Sequence, residues 1–147
     1  GRGEGYNINV PLPGKSNDDD YEYAFQQILL PVADAYKPEL VLVAAGMDAH
    51  ARDPIGQMKM SGAGYGRLAA VALEIACRHC SGASIFVLEG GYNPKALAEG
   101  VLAIVNALID WDMKKVHPAS KDLPRVRKAV RKVVDGVKRA HNSYWPF

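Results

Sequence analysis

The stretch VLVAAGMDAHARDP, Val41–Pro54, decides the fold of this chain. Its apolar run, Leu40–Ala45, is too short for a helix and is typical of a strand that is covered on both faces of a parallel sheet. The run ends at Gly46, and Asp48 follows. A carboxylate beside an apolar core is unfavourable unless it is paired or binds a cation. The residues alone leave four roles open for Asp48: capping a turn, pairing with Arg52, acting as a general base, or holding a metal.

A second apolar run, SIFVLEGGY, ends at Tyr92 and predicts another covered strand. The two glycines before Tyr92 let the backbone turn sharply and let another group approach closely. A phenol at that edge of the sheet could donate a hydrogen bond to a developing oxyanion. An aromatic ring that closes the rim of the core is the alternative role.

Patterns earlier in the chain predict one more strand and a long helix. Apolar and polar residues alternate over Tyr6–Val10, which indicates a strand. An apolar stripe at helical spacing predicts a helix over about Asp19–Tyr36, and Pro31 within it predicts a kink.

Three further helices have signals in the sequence. Ser61 is suited to cap one helix, and Asn93 followed by Pro94 is typical of the start of another. The last helix is predicted over about Arg125–Ala140, in a docking segment at residues 121–140, with valines on one face and a solvated basic face opposite. Strands thus alternate with helices of crossover length. This order predicts an α/β fold with three αβα layers and a mostly parallel sheet, whose ligands bind beyond the carboxyl ends of the strands.

Composition excludes several classes of protein. The chain has 147 residues, 48% of them hydrophobic, and a net charge of +2, so charge does not indicate a nucleic-acid partner. Its apolar runs are shorter than a membrane span requires, and no signal peptide is recognisable, so a cytoplasmic location is expected. The two cysteines of CRHC, Cys77 and Cys80, are expected to be reduced thiols. Because the chain begins at Gly1 and not at Met, we expect it to be a fragment.

Four segments resemble one known family in their order and spacing. They are GYNINVPLP, LVLVAAGMDAHARDPIG, FVLEGGYNPKAL and RAHNSYWP, which together cover nearly the whole chain. They are similar to the C-terminal half of histone deacetylase-like proteins, and most similar to bacterial class II-like deacetylases and acetylpolyamine amidohydrolases. The resemblance implies zinc-dependent hydrolysis of an acetyl amide, on lysine or a polyamine, by an arginase-like three-layer domain.

The same resemblance assigns roles to individual residues. Asp48 matches one of the three zinc ligands, and Tyr92 matches the tyrosine that polarises the acetyl carbonyl and stabilises the oxyanion. Gly90 and Gly91 match the floor around the metal, and Ile55 matches a position that lines the channel for the acyl chain. These three are therefore expected to contact the substrate.

Two weaker assignments complete this set. His50 stands two residues after Asp48, and it is expected to be a pocket residue or a support behind the ligands and not itself a ligand. Tyr6 matches a residue near a structural monovalent cation.

The family's other zinc ligands and its pair of base histidines come from upstream segments that these residues do not contain. One carboxylate cannot hold catalytic zinc, which takes three protein ligands and a water. We therefore expect this fragment to be inactive alone and to bind no zinc by itself. Without those segments an apolar strand edge is left unpaired, and such edges pair with other chains. Self-association, or association with the missing N-terminal half, is expected.

Two other interpretations remain open. The chain could be a non-enzymatic fragment or assembly module whose strands pair differently. It could also be a two-metal ureohydrolase-like enzyme of the same architecture, but that chemistry needs metal-binding clusters at several strand ends, and DAH is the one candidate.

Overall fold

A computed structural model describes residues 1–111 and 126–147. The first helical segment consists of α1 (Asp18–Ala24), a π-helical turn (Phe25–Leu29) and α2 (Leu30–Tyr36). Strand β1 (Val41–Ala45), helix α3 (Gly62–His79), strand β2 (Ser84–Leu88) and helix α4 (Pro94–Asp110) follow, and α5 (Lys128–His141) is the last helix. None of the helices in the described part of the chain is long and apolar enough to cross a membrane.

The two strands form the sheet of the described residues. They pair in parallel, with Val41 opposite Ser84 and Ala45 opposite Leu88. Helix α3 is the crossover between them and packs against α1, α2, α4 and both strands. The carboxyl ends of β1 and β2 therefore lie side by side at one edge of the sheet.

The predicted helix starts are confirmed. The Ser61 hydroxyl accepts the Gly64 N–H at 3.2 Å at the start of α3. The Asn93 side chain accepts two N–H groups at the start of α4, with Pro94 in its first turn. Just before Pro31, where a kink is predicted, the helix contains the π-helical turn, in which the Leu30 N–H donates to the Phe25 carbonyl. This wider turn accommodates a proline ring that cannot donate to the previous turn.

The prediction of a strand at Tyr6–Val10 is wrong for the described residues. The alternation does bury one side of the segment, because Ile8, Val10 and Leu12 pack against the core between α1 and α5. The surface against which it packs is made of helices, which offer no row of backbone N–H and C=O groups for a strand to pair with. The Tyr6 ring instead packs edge-on against Trp145, with ring centroids 5.4 Å apart.

Within residues 1–111 and 126–147, helices cover one face of the two strands and leave the other exposed. Val41, Val43 and Ala45 are half-buried, whereas Leu42, on the opposite face, is 67% exposed. In β2 the side chains of Ile85, Val87 and Leu88 are exposed. The sequence is therefore that of a sheet with two covered faces, and the described residues cover one of them.

Helix α5 docks through valines and through one ion pair, whose carboxylate is buried. Val130 and Val134 are fully buried in the core with α1, as the predicted apolar face requires. At the start of α5, Arg127 Nε lies 2.7 Å from Asp20 Oδ2, and the Arg127 N–H donates to Asp20 Oδ1 at 2.9 Å. The start predicted near Arg125 and the segment 121–125 lie outside the described residues.

We predict that Asp20→Asn lowers the free energy of unfolding by about 2 kcal/mol, because it removes the charge from a fully buried acceptor that is hydrogen-bonded to Arg127, whose own side chain is 35% exposed. Urea denaturation of the chain measures this change. Asp135→Asn on the exposed face of α5 is the matched control and should change stability by less than about 0.5 kcal/mol. Equal stability of the two variants would contradict the role of this ion pair.

Candidate active site

The Asp48 carboxylate lies exposed at the shared carboxyl edge of β1 and β2. It fits closely between two glycines. A Cβ atom built on Gly46 would lie 3.1 Å from Asp48 Oδ1, and one built on Gly90 would lie 3.0 Å from Oδ2. The Met47 N–H donates to the Gly90 carbonyl at 2.6 Å and joins the two strand ends. Glycine at both positions thus makes room for the carboxylate.

Two of the four roles considered for Asp48 are excluded by its surroundings. Among the described residues its carboxylate takes part in no hydrogen bond or ion pair, so it neither caps a turn nor pairs with Arg52. Arg52 pairs instead with Glu99 on α4. The roles of general base and metal ligand remain.

The charge of Asp48 acts on the tyrosines around it. The pKa of Tyr21 is raised first by burial and then by the negative charge of Asp48. Burial also raises the pKa of Tyr65, with smaller contributions from Tyr21 and Asp48. Both phenols therefore stay protonated at neutral pH.

The backbone before Tyr92 requires glycine at position 91. Gly91 has φ 143°, and a Cβ there would lie 2.9 Å from Met47 Cβ and 3.2 Å from Leu97 Cδ1. The Tyr92 side chain that follows is 57% exposed, so it does not close the rim of the core. It is free to meet a ligand at the edge of the sheet.

Ile55 projects from the loop after β1 and is 68% exposed. The loop is held by Asp53, whose Oδ1 accepts the N–H groups of Ile55 and Gly56, each at 2.9 Å. Asp53 Oδ2 accepts the Tyr92 N–H at 2.8 Å. Asp53 is not among the residues predicted from the sequence, although an aspartate before proline with a glycine three residues on is a recognisable turn signal.

The Asp53 carboxyl is held in its ionised form. Burial raises its pKa, but the hydrogen bonds from the N–H groups of Gly56, Tyr92 and Ile55 lower it by more, so its pKa lies below the usual value. At neutral pH the Asp53 carboxylate therefore accepts hydrogen bonds from all three amides.

His50 is buried, with 4% of its surface exposed. Its Nδ1 accepts the Arg52 N–H at 3.0 Å, which leaves the proton on Nε2, and Nε2 lies 3.5 Å from Glu99 Oε2. The ring also stacks parallel to that of Tyr65, with centroids 6.5 Å apart. These contacts place His50 among the residues that support the loop.

A zinc site fits these residues in part. Asp48 is an accessible, unpaired carboxylate, which suits one ligand position. In the parts of the chain that the structure describes, no group of three or more His, Cys, Asp or Glu side chains could hold a metal ion. Among the described residues, Asp48 is thus a single accessible carboxylate and is not part of a complete metal site.

Comparisons with known proteins identify the family and agree with this fold. The family model of the histone deacetylase domain matches residues 1–108. This chain belongs to the histone deacetylase family, and its α/β fold is that of arginase and the deacetylases.

Relatives match the chain over nearly its whole length. It is 34% identical to a probable deacetylase of Archaeoglobus fulgidus, over 99% of this chain and 43% of the relative. It is 37% identical to histone deacetylase 14, chloroplastic, of Arabidopsis thaliana, over 98% of this chain and 34% of that protein. The chain thus spans less than half the length of these relatives.

Solved structures give the same result. The histone deacetylase Clr3 superposes with a TM-score of 0.82 at 29% identity, over 99% of this chain and 23% of Clr3. The HDA15 HD domain superposes with a TM-score of 0.81 at 32% identity, over 99% of this chain and 37% of that domain.

We predict that Gly91→Ala lowers the free energy of unfolding by at least about 1 kcal/mol, since the new Cβ needs a strained φ and clashes with Met47. Gly136→Ala is the matched control, because it lies in α5 with its nearest neighbour atom 3.9 Å away. This control should stabilise the chain by about 0.5–1 kcal/mol through helix propensity. Thermal unfolding of both variants measures the contrast, and two shifts of the same sign would contradict it.

Proposed function

We propose that this chain is the C-terminal part of a zinc-dependent deacetylase that hydrolyses the acetyl amide of an acetylated lysine or polyamine. One observation carries the proposal: Asp48 is a carboxylate without a partner among the described residues, it lies between Gly46 and Gly90, and the loop that follows Gly90 carries Tyr92. Membership of the deacetylase family supplies the reaction class.

In this proposal Asp48 and Tyr92 have different roles. Asp48 holds one coordination position of the zinc ion, which, when bound, acidifies water and polarises the acetyl carbonyl. The Tyr92 phenol donates a hydrogen bond to the oxygen on which negative charge develops. Its exposure and the sharp turn at Gly91 leave its ring accessible from the substrate side.

Ile55 and the glycines at 90 and 91 provide the proposed substrate contacts. An exposed isoleucine on a turn held by Asp53 suits the methylene chain of a lysine or polyamine, which is apolar along its length. Glycine at position 90 leaves the Asp48 carboxylate uncovered, because a Cβ there would lie 3.0 Å from Asp48 Oδ2.

The remaining ligands are proposed to come from a segment that lies along the free edge of β1. There, an apolar groove of about 570 Å³ is lined by the whole of β1, by residues of α1, α2 and α3, and at one end by Gly46 and Ala49. A strand that added in parallel to this edge would end beside Asp48, since parallel strands share their carboxyl edge.

That segment is proposed to belong to the N-terminal half of the deacetylase domain. The same edge also offers a site for a second copy of this chain, so self-association is the competing use of the groove. The proposal includes no nucleic-acid or membrane partner, and cytoplasmic location stays a prediction. The structural monovalent cation near Tyr6 also stays a prediction.

We predict that the 147-residue chain by itself binds less than one equivalent of zinc tightly and does not deacetylate a fluorogenic acetyl-lysine substrate, because catalytic zinc takes three protein ligands. Metal analysis after dialysis and a fluorescence assay measure both quantities. One equivalent of zinc with turnover would contradict the proposed division of the ligands.

A chimera tests the roles of Asp48 and Tyr92. We predict deacetylation when this chain replaces the 154 matched residues of the Archaeoglobus fulgidus relative. In that chimera Asp48→Ala should abolish both zinc binding and turnover. Tyr92→Phe should lower kcat about 10²–10³-fold with zinc retained, because it removes one oxyanion donor.

Tyr144→Phe is the matched control for the phenol, because Tyr144 is also exposed and donates to Glu4 near the chain start. It should leave kcat unchanged. A folded chimera in which Asp48→Ala or Tyr92→Phe turns over at the unsubstituted rate would remove the proposed role of that residue.

A further inference from the structure

We infer that Asp53 is a positioning residue that sets Tyr92 and Ile55 relative to one another through their backbone amides. The inference rests on the proposed function for its catalytic meaning. The hydrogen-bonded tie that Asp53 makes between the loop after β1 and the loop after β2 can be tested without any assay of activity.

The geometry of Asp53 differs from that of an ordinary turn-capping aspartate. One oxygen, Oδ1, closes its own turn by accepting the N–H groups of Ile55 and Gly56, each at 2.9 Å. The other oxygen, Oδ2, reaches 39 residues along the chain to accept the Tyr92 N–H at 2.8 Å. The side chain is buried, with 8% exposed. A buried carboxylate with three charge-assisted hydrogen bonds is a strong and directional tie.

Packing cannot fix the two functional side chains. Tyr92 is 57% and Ile55 is 68% exposed, so neighbouring atoms leave most of each surface uncovered. Their directions therefore depend on the backbone that carries them. Asp53 accepts hydrogen bonds from the backbone N–H groups of both Ile55 and Tyr92.

Neighbouring contacts support the same tie. The Asn93 side-chain amide donates to the Arg52 carbonyl at 3.0 Å, and the Arg52 side chain pairs with Glu99 on α4. His50 Nδ1 accepts the Arg52 N–H. The loop after β1 is thus also joined to α4 through Arg52, directly before Asp53, and Asp53 is the link whose atoms reach the Tyr92 backbone.

The same contacts argue that Asp53 is neither a metal ligand nor a base. Both of its oxygens already accept backbone amides, and the residue is buried. Asp48 is the opposite case, exposed and without a partner among the described residues. The two aspartates, five positions apart in one loop, therefore have different roles. Asp48 is available to a ligand, and Asp53 fixes the backbone of the two loops.

Direct detection of the hydrogen bonds tests the tie in the unmodified chain. We expect through-hydrogen-bond couplings, in a long-range NMR experiment, from the amide nitrogens of Tyr92, Ile55 and Gly56 to the Asp53 carboxyl carbon. A coupling from Tyr92 supports the inference. Couplings from Ile55 and Gly56 alone would overturn it, because Asp53 would then cap only its own turn.

Asp53→Asn distinguishes the hydrogen bonds within the turn from the hydrogen bond to Tyr92. The amide oxygen can keep both turn amides, but the NH₂ group then faces the Tyr92 N–H, donor against donor. Hydrogen exchange at the Tyr92 amide should become at least about tenfold faster, with a smaller change at Gly56. Asp20→Asn, also a buried aspartate, is the matched control and should speed exchange at Tyr92 only as far as it lowers global stability. Equal effects of the two variants at Tyr92, after this correction, would overturn the inference.

A double-mutant cycle in the chimera tests the catalytic consequence. Asp53→Asn should lower kcat about 10–100-fold, the usual effect of displacing a reacting group by about 1 Å. With Tyr92→Phe already present, the same substitution should cost little further kcat, because its effect passes through the phenol. Losses of kcat that multiply independently would overturn the positioning role. An inactive chimera would count against the proposed function, while the NMR couplings would still decide the tie.

Discussion

The parallel pairing of β1 with β2 is the constraint on which the site depends. Its register sets Ala45 opposite Leu88, so the next residues of both strands leave the sheet at the same place. A hydrogen bond from Met47 to Gly90 continues the pairing by one step, and the Asp48 carboxylate then fits between Gly46 and Gly90. A residue on one strand end and a loop on the other, far apart in sequence, thereby come to share one small surface.

The loops beyond the strands turn this shared edge into a defined arrangement. Buried groups, chiefly Asp53 and His50, hold the backbone, while exposed groups such as Tyr92 and Ile55 remain available to a ligand. This division is physically sensible because a residue that must meet a substrate cannot also be fixed by packing. Backbone hydrogen bonds to a buried carboxylate perform that task instead.

The described residues also leave an apolar surface uncovered next to the site. One face of the sheet exposes Leu42 and the apolar side chains of β2, and the groove beside β1 is apolar along its length up to Gly46. Leaving several large aliphatic side chains in water forfeits about 1.5–3 kcal/mol each relative to full burial. A partner that covered this surface would be stabilised by the same contacts that bring it to Asp48.

Much of the fold was predictable because its signals are local. Short apolar runs, the Ser61 and Asn93 caps and the valine stripe of α5 each act within a few residues, and each was confirmed. The strand predicted at Tyr6–Val10 failed because alternation reports burial of one side and does not say whether a sheet or a helix provides the cover. By itself, then, the sequence determined the two paired strands, the starts of α3 and α4, and the pair of residues, Asp48 and Tyr92, on which the chemistry was expected to depend. Tertiary structure alone decided that Arg52 pairs with Glu99 and that Asp53 joins the two loops, because such contacts depend on which distant backbone atoms the chain brings within hydrogen-bonding distance.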